Sequence, residues 1–411
     1  MTADDRRAFG ARVAQLRKQR GMNQEQLAAA INRTASWVSQ VERGVQPVVR
    51  LDVLQLLADG LGVSVQTLRP DAPSAPAATP TPDKEAPNDL DLARLLLSGH
   101  PALDVLFGGD RPSEVPDLIA LAATVDEIWH LTHAARFAEL SALVGRALPP
   151  LERAVRTARP EDRPEIHLLL SSTYQALAAA FVRQDEDDAA WVAADRAIRA
   201  AEQSAQPLQV FAGIYRLAHA FIRLRRLDQA EHAASAALGA LRMSNGAEDP
   251  VALSILGSLH LVLALAAARA GRREQARNEV AEARAVAARL GVDRNDFNLE
   301  FGPTNVEIQA VSTAVELGDA GEALDLGLRI DASRLSPERR ARLLIDLGRA
   351  HAQRRQLGEA VDALLKAEEL APETVRTHVA ARATIRELVL VAGRGAPSEL
   401  LQLAERANAA D

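Results

Sequence analysis

A proline-rich stretch between residues 71 and 88 divides this chain of 411 residues into two unequal parts. It reads DAPSAPAATPTPDKEAPN, with five prolines and almost no apolar side chain to bury. Proline fixes φ and lacks the backbone N–H, so no helix or strand persists in such a segment and an extended linker is expected. The sequence therefore predicts a small domain over residues 1–70, a linker over 71–88 and a larger domain over 89–411.

The two parts carry opposite net charges. The whole chain has a formal net charge of −7, but residues 1–70 hold ten Lys and Arg against six Asp and Glu, a net charge of +4. A small basic part on an acidic body is typical of a protein in which only the small part meets a polyanion. The net negative charge of the whole chain therefore does not exclude nucleic acid as a partner of the small basic part.

Composition excludes several other classes of protein. The chain has no cysteine, which rules out disulfides, thiolate zinc sites and thiol nucleophiles. Acids stand near the N-terminus where a signal peptide needs bases, and the longest unbroken apolar run, Leu261 to Ala268, is too short to cross a bilayer. We expect a soluble, cytoplasmic protein with no membrane partner.

The spacing of apolar residues favours helices throughout. Aromatic residues make up only 3% of the chain, which disfavours sheets. Residues 1–70 contain five short segments with helical spacing, marked by Phe9, Val13 and Leu16, by Leu27 and Ile31, by Val38 and Val41, by Leu51, Leu54 and Leu57, and by Val65 and Leu68. Nearly everything after the linker has the amphipathic spacing of longer helices. The predicted fold class is therefore all-α.

A two-helix pattern recurs in the larger part, with copies that begin near residues 119, 171, 211, 257, 304 and 341. Small residues return at fixed positions in each copy. Two of the clearest copies contain Tyr174, Leu177, Ala178, Phe181, Ala190 and Ala197, and Leu344, Leu347, Gly348, His351, Ala360, Leu364, Ala367 and Pro372. The pattern resembles the tetratricopeptide repeat over roughly residues 119–374, and this resemblance implies an α-solenoid, capped here by helices at 375–392 and 397–409. An Ala-rich helical bundle without true repeats is the alternative.

The most specific motif lies between Gln24 and Gly44, in the sequence QEQLAAAINRTASWVSQVERG. Asn23 and Gln26 have the spacing of a capping box at the start of one helix, and Thr34 is placed to cap the next. Gly44 is the residue type preferred just after a helix. The segment therefore predicts two short helices joined by a tight turn.

The second of these helices has one apolar and one polar face. Val38 and Val41 anchor it to the first helix, where Leu27, Ala28 and Ile31 face inward. The opposite face is suited to lie in a DNA major groove. The residues on that outward face are Ala35, Ser36, Ser39, Gln40 and Arg43.

Residues Phe9 to Leu68 closely resemble the DNA-binding domains of the xenobiotic-response-element family, the group that contains the phage Cro and CI repressors. Residues 24–28 and 39–44 carry the strongest part of the resemblance. It implies a five-helix, repressor-type helix-turn-helix domain in which Gln24 bonds a phosphate and Ser36, Ser39 and Gln40 read base edges. It also implies a buried ion pair between Arg17 and Glu42.

Two residues depart from the family pattern and a third has two interpretations. Asn32 replaces the usual Gly, and Arg33 stands where an apolar residue is usual, so Arg33 either disturbs the turn or reaches the DNA backbone. Trp37 either touches a sugar-phosphate or packs against the neighbouring helix. We count Arg33, Trp37 and Arg43 with the candidate DNA contacts. A helix-turn-helix-like fold that binds no DNA is the alternative.

The first helices of the repeats have positions that point away from their partner helices and would line a concave face. Polar, aromatic and basic residues occupy these positions, which suits an anionic or peptide-like ligand, although a solvated face with scattered Arg is the alternative. The candidate ligand-binding residues are Gln175, Arg183, Tyr215, His219, Arg223, Arg269, Asn305 and Arg349.

Catalysis has little support in the sequence. The nine histidines are scattered, and beside His130 and His133 the single carboxylate of Glu127 is too little for a metal site. The acidic run from Asp185 to Asp188 favours a solvated turn over a calcium loop. No phosphate loop, nucleophile elbow or dinucleotide fingerprint is present. We expect no enzyme activity, no cofactor and no metal.

The whole layout resembles the peptide-responsive quorum-sensing regulators, in which a repressor-type head is joined to a tetratricopeptide sensor. The resemblance implies a transcription regulator that binds double-stranded DNA and responds to a peptide or small-molecule effector. We expect a homodimer, because one short recognition helix buries too little surface for operator affinity. The competing interpretation is a DNA-tethered protein-interaction scaffold without a small-molecule ligand.

Overall fold

The structure is a computed structural model, and the residues it describes are 3–31, 33–45, 48, 57–58, 60–61, 63, 65–68, 88–99, 117–244, 248–333 and 336–409. These residues are organised as helices, and among them the β-bridge between Arg294 and Phe301 stands isolated. The predicted all-α fold class is confirmed. Asn32, the predicted helix segment at residues 51–56 and the linker residues 71–87 lie outside the described residues.

The chain divides into two compact units, Met1–Glu85 and Ala86–Asp411. Within the first unit, Val13, Leu27 and Val38 are fully buried in one apolar core, as their helical spacing predicts. The described helices of this unit are α1 Ala3–Gln19, α2 Gln24–Ala30, α3 Ala35–Glu42 and α4 Val65–Leu68.

Helix α1 meets α3 at a glycine. A Cβ atom on Gly10 would lie 2.4 Å from the carbonyl oxygen of Val41 and 2.5 Å from that of Glu42. Glycine has no Cβ, so it lets the two helices approach this closely. The contact holds α3 against the core along one edge and leaves its other edge free.

The second unit begins with α5 Asp91–Ser98 and continues, in the part that the structure describes, as six helix pairs. Three residues join the two helices of each pair, as in a short αα-hairpin. The pairs are α6 Leu118–His133 with α7 Phe137–Thr157, α8 Arg163–Arg183 with α9 Asp187–Glu202, α10 Pro207–Arg223 with α11 Leu227–Arg242, α12 Pro250–Arg269 with α13 Arg273–Leu290, α14 Pro303–Glu316 with α15 Ala320–Gly327, and α16 Pro337–Gln353 with α17 Leu357–Leu370.

The middle residue of every one of these turns has a left-handed backbone conformation, with φ between 54° and 77°. These residues are Ala135, Asp185, Arg225, Gly271, Gly318 and Arg355. The recurrence confirms a repeating helix pair. Five of the six predicted copies begin 14 residues before the turn residue, whereas the first predicted start, residue 119, is 16 residues before it and was two residues out of register.

First helices pack side by side along the unit: α6 with α8, α8 with α10, α10 with α12, α12 with α14 and α14 with α16. The small residues of the sequence pattern lie where the helices approach. Ala190 and Ala197 are fully buried, and a Cβ on Gly348 would be 3.1 Å from Leu364 Cγ. The alanine-rich composition thus permits close helix packing.

Three shorter helices follow the last pair: α18 Pro372–Thr377, α19 Val379–Ala392 and α20 Ser398–Arg406. Helices at 375–392 and 397–409 were predicted, and the first of them is divided at His378. The His378 Nδ1 atom accepts the backbone N–H of Ala381 and so caps a new helix.

Helix α12 is long and apolar enough to cross a membrane, with a mean hydropathy of 2.2 over its most apolar window. That window is 89% buried inside the protein, against the neighbouring helices of the repeat. Its hydropathy is that of a core helix, and it gives no indication of a membrane span.

Candidate functional sites

A buried ion pair joins α1 to α3 in the N-terminal unit. Arg17 Nε lies 2.6 Å from Glu42 Oε1, and the two side chains are 9% and 8% exposed. Arg17 also donates to the carbonyl oxygen of Met22 at 2.6 Å. The carboxylate of Glu42 raises the pKa of Arg17. The predicted pair is confirmed, and it positions the end of α3.

Gln24, the predicted phosphate contact, belongs to the same network. Its side-chain Nε2 donates to Glu42 Oε2 at 2.7 Å, and the residue is half-buried. One carboxylate therefore receives hydrogen bonds from both α1 and α2. A phosphate contact by Gln24 stays a prediction.

The capping residues act as predicted. Asn23 Oδ1 accepts the N–H of Gln26 at 2.8 Å, while the Asn23 N–H donates to Gln26 Oε1 at 2.8 Å. Thr34 Oγ1 accepts the N–H of Trp37 at 3.2 Å and begins α3. Gly44, with φ of 72°, follows the end of α3. Local hydrogen bonds thus set the boundaries of both helices.

Helix α3 is pinned on one side and open on the other. Val38 and Val41 are fully buried. Ser36 and Arg43 are exposed, and Arg43 Nε donates to the Ser39 carbonyl at 3.3 Å. The predicted reading residues Ala35, Ser39 and Gln40 are half-buried beside them.

Arg33 and Trp37 form a contact at the start of α3. The guanidinium carbon of Arg33 lies 5.8 Å from the centroid of the Trp37 ring. Arg33 is exposed, and Trp37 is half-buried against the apolar core. Trp37 therefore packs against the core, which is one of its two predicted interpretations. Arg33 lies over the Trp37 ring and does not enter the core.

Residues 8–71 match the family described as a helix-turn-helix domain. The N-terminal unit is a helix-turn-helix domain, a DNA-binding architecture and not that of an enzyme class. Among the curated proteins, no sequence matches this chain significantly. Among solved structures, Bacillus thuringiensis PlcR in complex with the peptide PapR7 and DNA is similar, at 14% sequence identity and a TM-score of 0.34. The similarity covers 92% of this chain and 99% of that one.

In the second unit, the C-terminal ends of α8, α10 and α12, together with α14 and α16, surround a cavity of about 200 Å³, which we call the arginine cavity. Six of the eight candidate ligand-binding residues line it. They are Arg183, His219, Arg223, Arg269, Asn305 and Arg349. The structure thus brings together residues from α8, α10, α12, α14 and α16.

The other two candidates do not line the cavity. Gln175 is 1% exposed, and its Nε2 donates to Ser171 Oγ at 3.4 Å, so its placement on the concave face was wrong. The reason is that α8 packs against α6, α7, α9 and α10, which bury all of residues 173–181. Tyr215 is half-buried behind His219, with ring centroids 4.6 Å apart in an edge-on contact.

The cavity holds more cationic than anionic side chains. Its arginines are Arg183, Arg223, Arg269, Arg339, Arg342 and Arg349, and its carboxylates are Glu300, Glu316, Glu338 and Asp346. Arg349 binds both Asp346, at 2.9 Å, and Glu316, at 3.0 Å. Glu338 is shared between Arg183, at 2.9 Å, and Arg342, at 3.2 Å. Burial alone would raise the pKa of Glu338, but these arginines hold it below its usual value.

Two histidines at the cavity are uncharged. Burial, reinforced by Arg216 and Arg342, lowers the pKa of His219 to about 3. Burial, reinforced by Arg342 and Arg349, lowers the pKa of His378 to about 3. At neutral pH each ring is a neutral hydrogen-bonding group, so the cationic groups of the lining are its arginines.

The acidic turn after α8 is an arginine-binding element. A solvated turn was expected at Asp185–Asp188, and the turn is present, but its carboxylates are paired. Asp187 Oδ1 lies 3.1 Å from Arg223 Nε, and Asp185 binds the same guanidinium. Asp188 binds Arg94 of α5 at 2.7 Å. The turn therefore orients a cavity residue and anchors α5.

Sequence reasoning missed several cavity residues. Arg342 stands at the second position of the last repeat, so the rule that selected Asn305 would also have found it. Glu300 and His378 lie outside the repeated positions, and only the tertiary structure brings them to the cavity. Across the described residues, no group of His, Asp and Glu is arranged to hold a metal ion.

Proposed function

We propose that this protein is a cytoplasmic, sequence-specific transcription regulator whose helix-pair domain senses an effector in the arginine cavity. The helix-turn-helix match supports DNA as its partner. The observation that carries the proposal is the open face of α3, with Ser36 and Arg43 exposed and Ser39 and Gln40 half-buried beside them, while Val38 and Val41 hold the other face.

Each side chain on this face has a chemical role in the proposal. The amide of Gln40 pairs with N6 and N7 of adenine, and the hydroxyls of Ser36 and Ser39 bond base edges. Arg33 and Arg43 bind phosphates, as does Gln24 after it exchanges its bond with Glu42. Phosphate contacts set the register, and base contacts select the sequence.

We further propose that the regulator is a homodimer. Two heads on a two-fold-symmetric operator double the contact surface that one short helix provides. The arginine cavity receives side chains from five first helices, so an effector that bridges them would change how the repeats stack. A change in stacking would alter the separation of the two helix-turn-helix domains in the dimer. The coupling free energy between effector binding and DNA binding would be about 1–3 kcal/mol.

A DNA-tethered scaffold is the competing function. Such a scaffold needs a broad exposed apolar or charged surface, whereas a sensor needs a pocket lined by converging polar groups. The arginine cavity supports the sensor.

The test is a selection of bound duplexes from a random DNA library by the full chain, at low and at physiological salt. Enrichment of one motif with two-fold symmetry would support the proposal. Recovery of unrelated sequences at both salt concentrations would contradict it and would favour a head that does not read bases.

A further inference from the structure

The chain segment between α13 and α14, residues 291–302, lies across the first helices of the second unit; we call it the groove segment. Asn298 Oδ1 lies 3.0 Å from His133 Nε2 on α6. Arg216 of α10 donates from Nη2 to the carbonyl oxygens of Asn298, at 2.8 Å, and Phe297, at 3.3 Å. Glu300 binds Arg339 of α16. Three helices far apart in the sequence therefore hold this one segment.

A fourth helix fixes the segment by packing. The buried ring of Phe301 lies so close to Gly257 of α12 that a Cβ there would be 1.9 Å from it. Phe297, Asn298 and Glu300 all have left-handed backbones, with φ of 50°, 56° and 51°. Such conformations are unfavourable for Phe and Glu and persist where the surroundings hold them.

Arg216 binds the backbone of the groove segment. Its guanidinium donates hydrogen bonds to two backbone carbonyl oxygens. It also lies over the rings of Trp129 and Tyr215, 5.2 Å from each centroid. Burial lowers the pKa of Arg216 to about 10, so it remains a cation at neutral pH. The groove segment thus takes up hydrogen bonds that Arg216 would otherwise offer to the backbone of a ligand.

The arginine cavity, which the groove segment leaves open, is small. The Arg183–Glu338 pair joins α8 to α16 across the first-helix face, and Glu300 of the groove segment lines the cavity wall. The remaining volume is about 200 Å³. Sites for drug-sized ligands usually measure about 300–1,000 Å³, so an extended peptide of several residues is too large.

The chemistry of the lining selects among small ligands. Six arginines and four carboxylates line the cavity. Arg223 has its carboxylate partners, Asp185 and Asp187, outside the lining, whereas Glu338 serves two arginines at once. The Arg342 Nε atom is buried and makes no hydrogen bond of good geometry, although it lies 3.2 Å from Glu338 Oε1. Guanidinium groups bind carboxylate and phosphate oxygens with paired hydrogen bonds. The cavity therefore has cationic donors to offer to an oxyanion.

We infer that the effector is a small molecule with a carboxylate or phosphate group, and that the groove segment excludes extended peptides. This inference rests on the proposed sensor function and specifies the ligand class of the same cavity.

The experiment is calorimetric titration of the full chain with inorganic phosphate, succinate and citrate, and separately with a mixture of heptapeptides. We expect at least one of the three anions to bind, and the pattern among them distinguishes a phosphate from a carboxylate ligand. Arg342→Gln should weaken that binding about tenfold or more, because a charged hydrogen-bonding partner is lost. Arg340→Gln, on the same helix but outside the cavity lining, should leave it unchanged.

Two results would overturn the inference: no binding by any of the three anions at millimolar concentration, or binding of heptapeptides that Arg216→Gln abolishes and Arg342→Gln does not. The DNA selection on the same preparation separates the two proposals. Selective DNA binding without anion binding removes the ligand class and leaves the DNA reader. Anion binding without selective DNA binding removes the DNA reader and leaves the ligand class.

Discussion

Arg183 and Glu338 are 155 residues apart in the sequence and form a largely buried ion pair, with Nε 2.9 Å from Oε1. The pair closes the face formed by the first helices. Arg183 also donates to the Thr132 carbonyl at 3.1 Å, so one side chain links α6, α8 and α16. Long-range ion pairs therefore hold the repeats around the arginine cavity.

Glu338→Gln should destabilise the second unit by about 3–5 kcal/mol, because it leaves the guanidinium of Arg183 buried without its counter-charge. Urea unfolding of the full chain, followed by circular dichroism, measures the change. Glu359→Gln, at an exposed position of α17, is the control and should change stability by less than about 0.5 kcal/mol. Equal effects of the two substitutions would contradict a structural role for the pair.

Stability should fall as the pH is lowered from 7 to 5. The pKa of His378 is about 3 in the folded protein, against an ordinary value of 6.5, so below pH 6.5 the unfolded chain binds a proton that the folded chain does not. Each such group lowers the free energy of unfolding by up to about 1.4 kcal/mol per pH unit in this window. His219 contributes in the same direction.

His378→Asn separates this effect from the helix cap, since an Asn side chain also caps a helix but does not titrate. The variant should show a shallower loss of stability between pH 7 and 5 than the native chain, measured from urea midpoints. Above pH 5, Glu338 makes little contribution, because its pKa lies at or below 4.5 in both states. Identical pH profiles for variant and native chain would refute the assignment.

The left-handed turns between paired helices give a third prediction. Gly271 has φ of 74°, and a Cβ atom added to it would meet no other atom within 4 Å, so Gly271→Ala should cost about 1 kcal/mol through backbone strain alone. Gly358, in the first turn of α17, also has open space around it. Gly358→Ala should instead stabilise the unit by up to about 1 kcal/mol. Thermal unfolding that moved in the same direction for both would exclude this account.

On the proposed DNA-binding face of α3, Gln40→Ala and Arg43→Ala should have different effects on DNA binding. Loss of the Gln40 amide should reduce discrimination at one base pair by about 1–3 kcal/mol. Loss of Arg43 should weaken binding to all sequences alike and lower the slope of log affinity against log salt by about one. Titrations against the selected motif and its single-base variants, at several salt concentrations, measure both effects. Parallel losses on every probe would show that Gln40 does not read a base.

Much of the structure follows from residues close together in the sequence. The capping box at Asn23 and Gln26, the cap at Thr34 and the helical spacing of Val38 and Val41 predict the helix-turn-helix segment, because these contacts span one helical turn. The same reasoning identified the helix pairs and six of the residues around the arginine cavity. The small residues of the helix pairs, and the positions of these six residues in the first helices, recur with the repeat.

The rest was decided by the tertiary structure. Gln175 fits the repeat pattern of a concave position, yet its neighbours bury it, since the pattern does not specify how many helices surround α8. Glu300 reaches Arg339 only because the groove segment crosses the first helices. The sequence by itself determined helices, turns and pairing, which depend on local spacing. The packing of the helix pairs decided which distant side chains meet, because contacts such as those of Arg183 with Glu338 join residues 155 positions apart, a separation that no local spacing specifies.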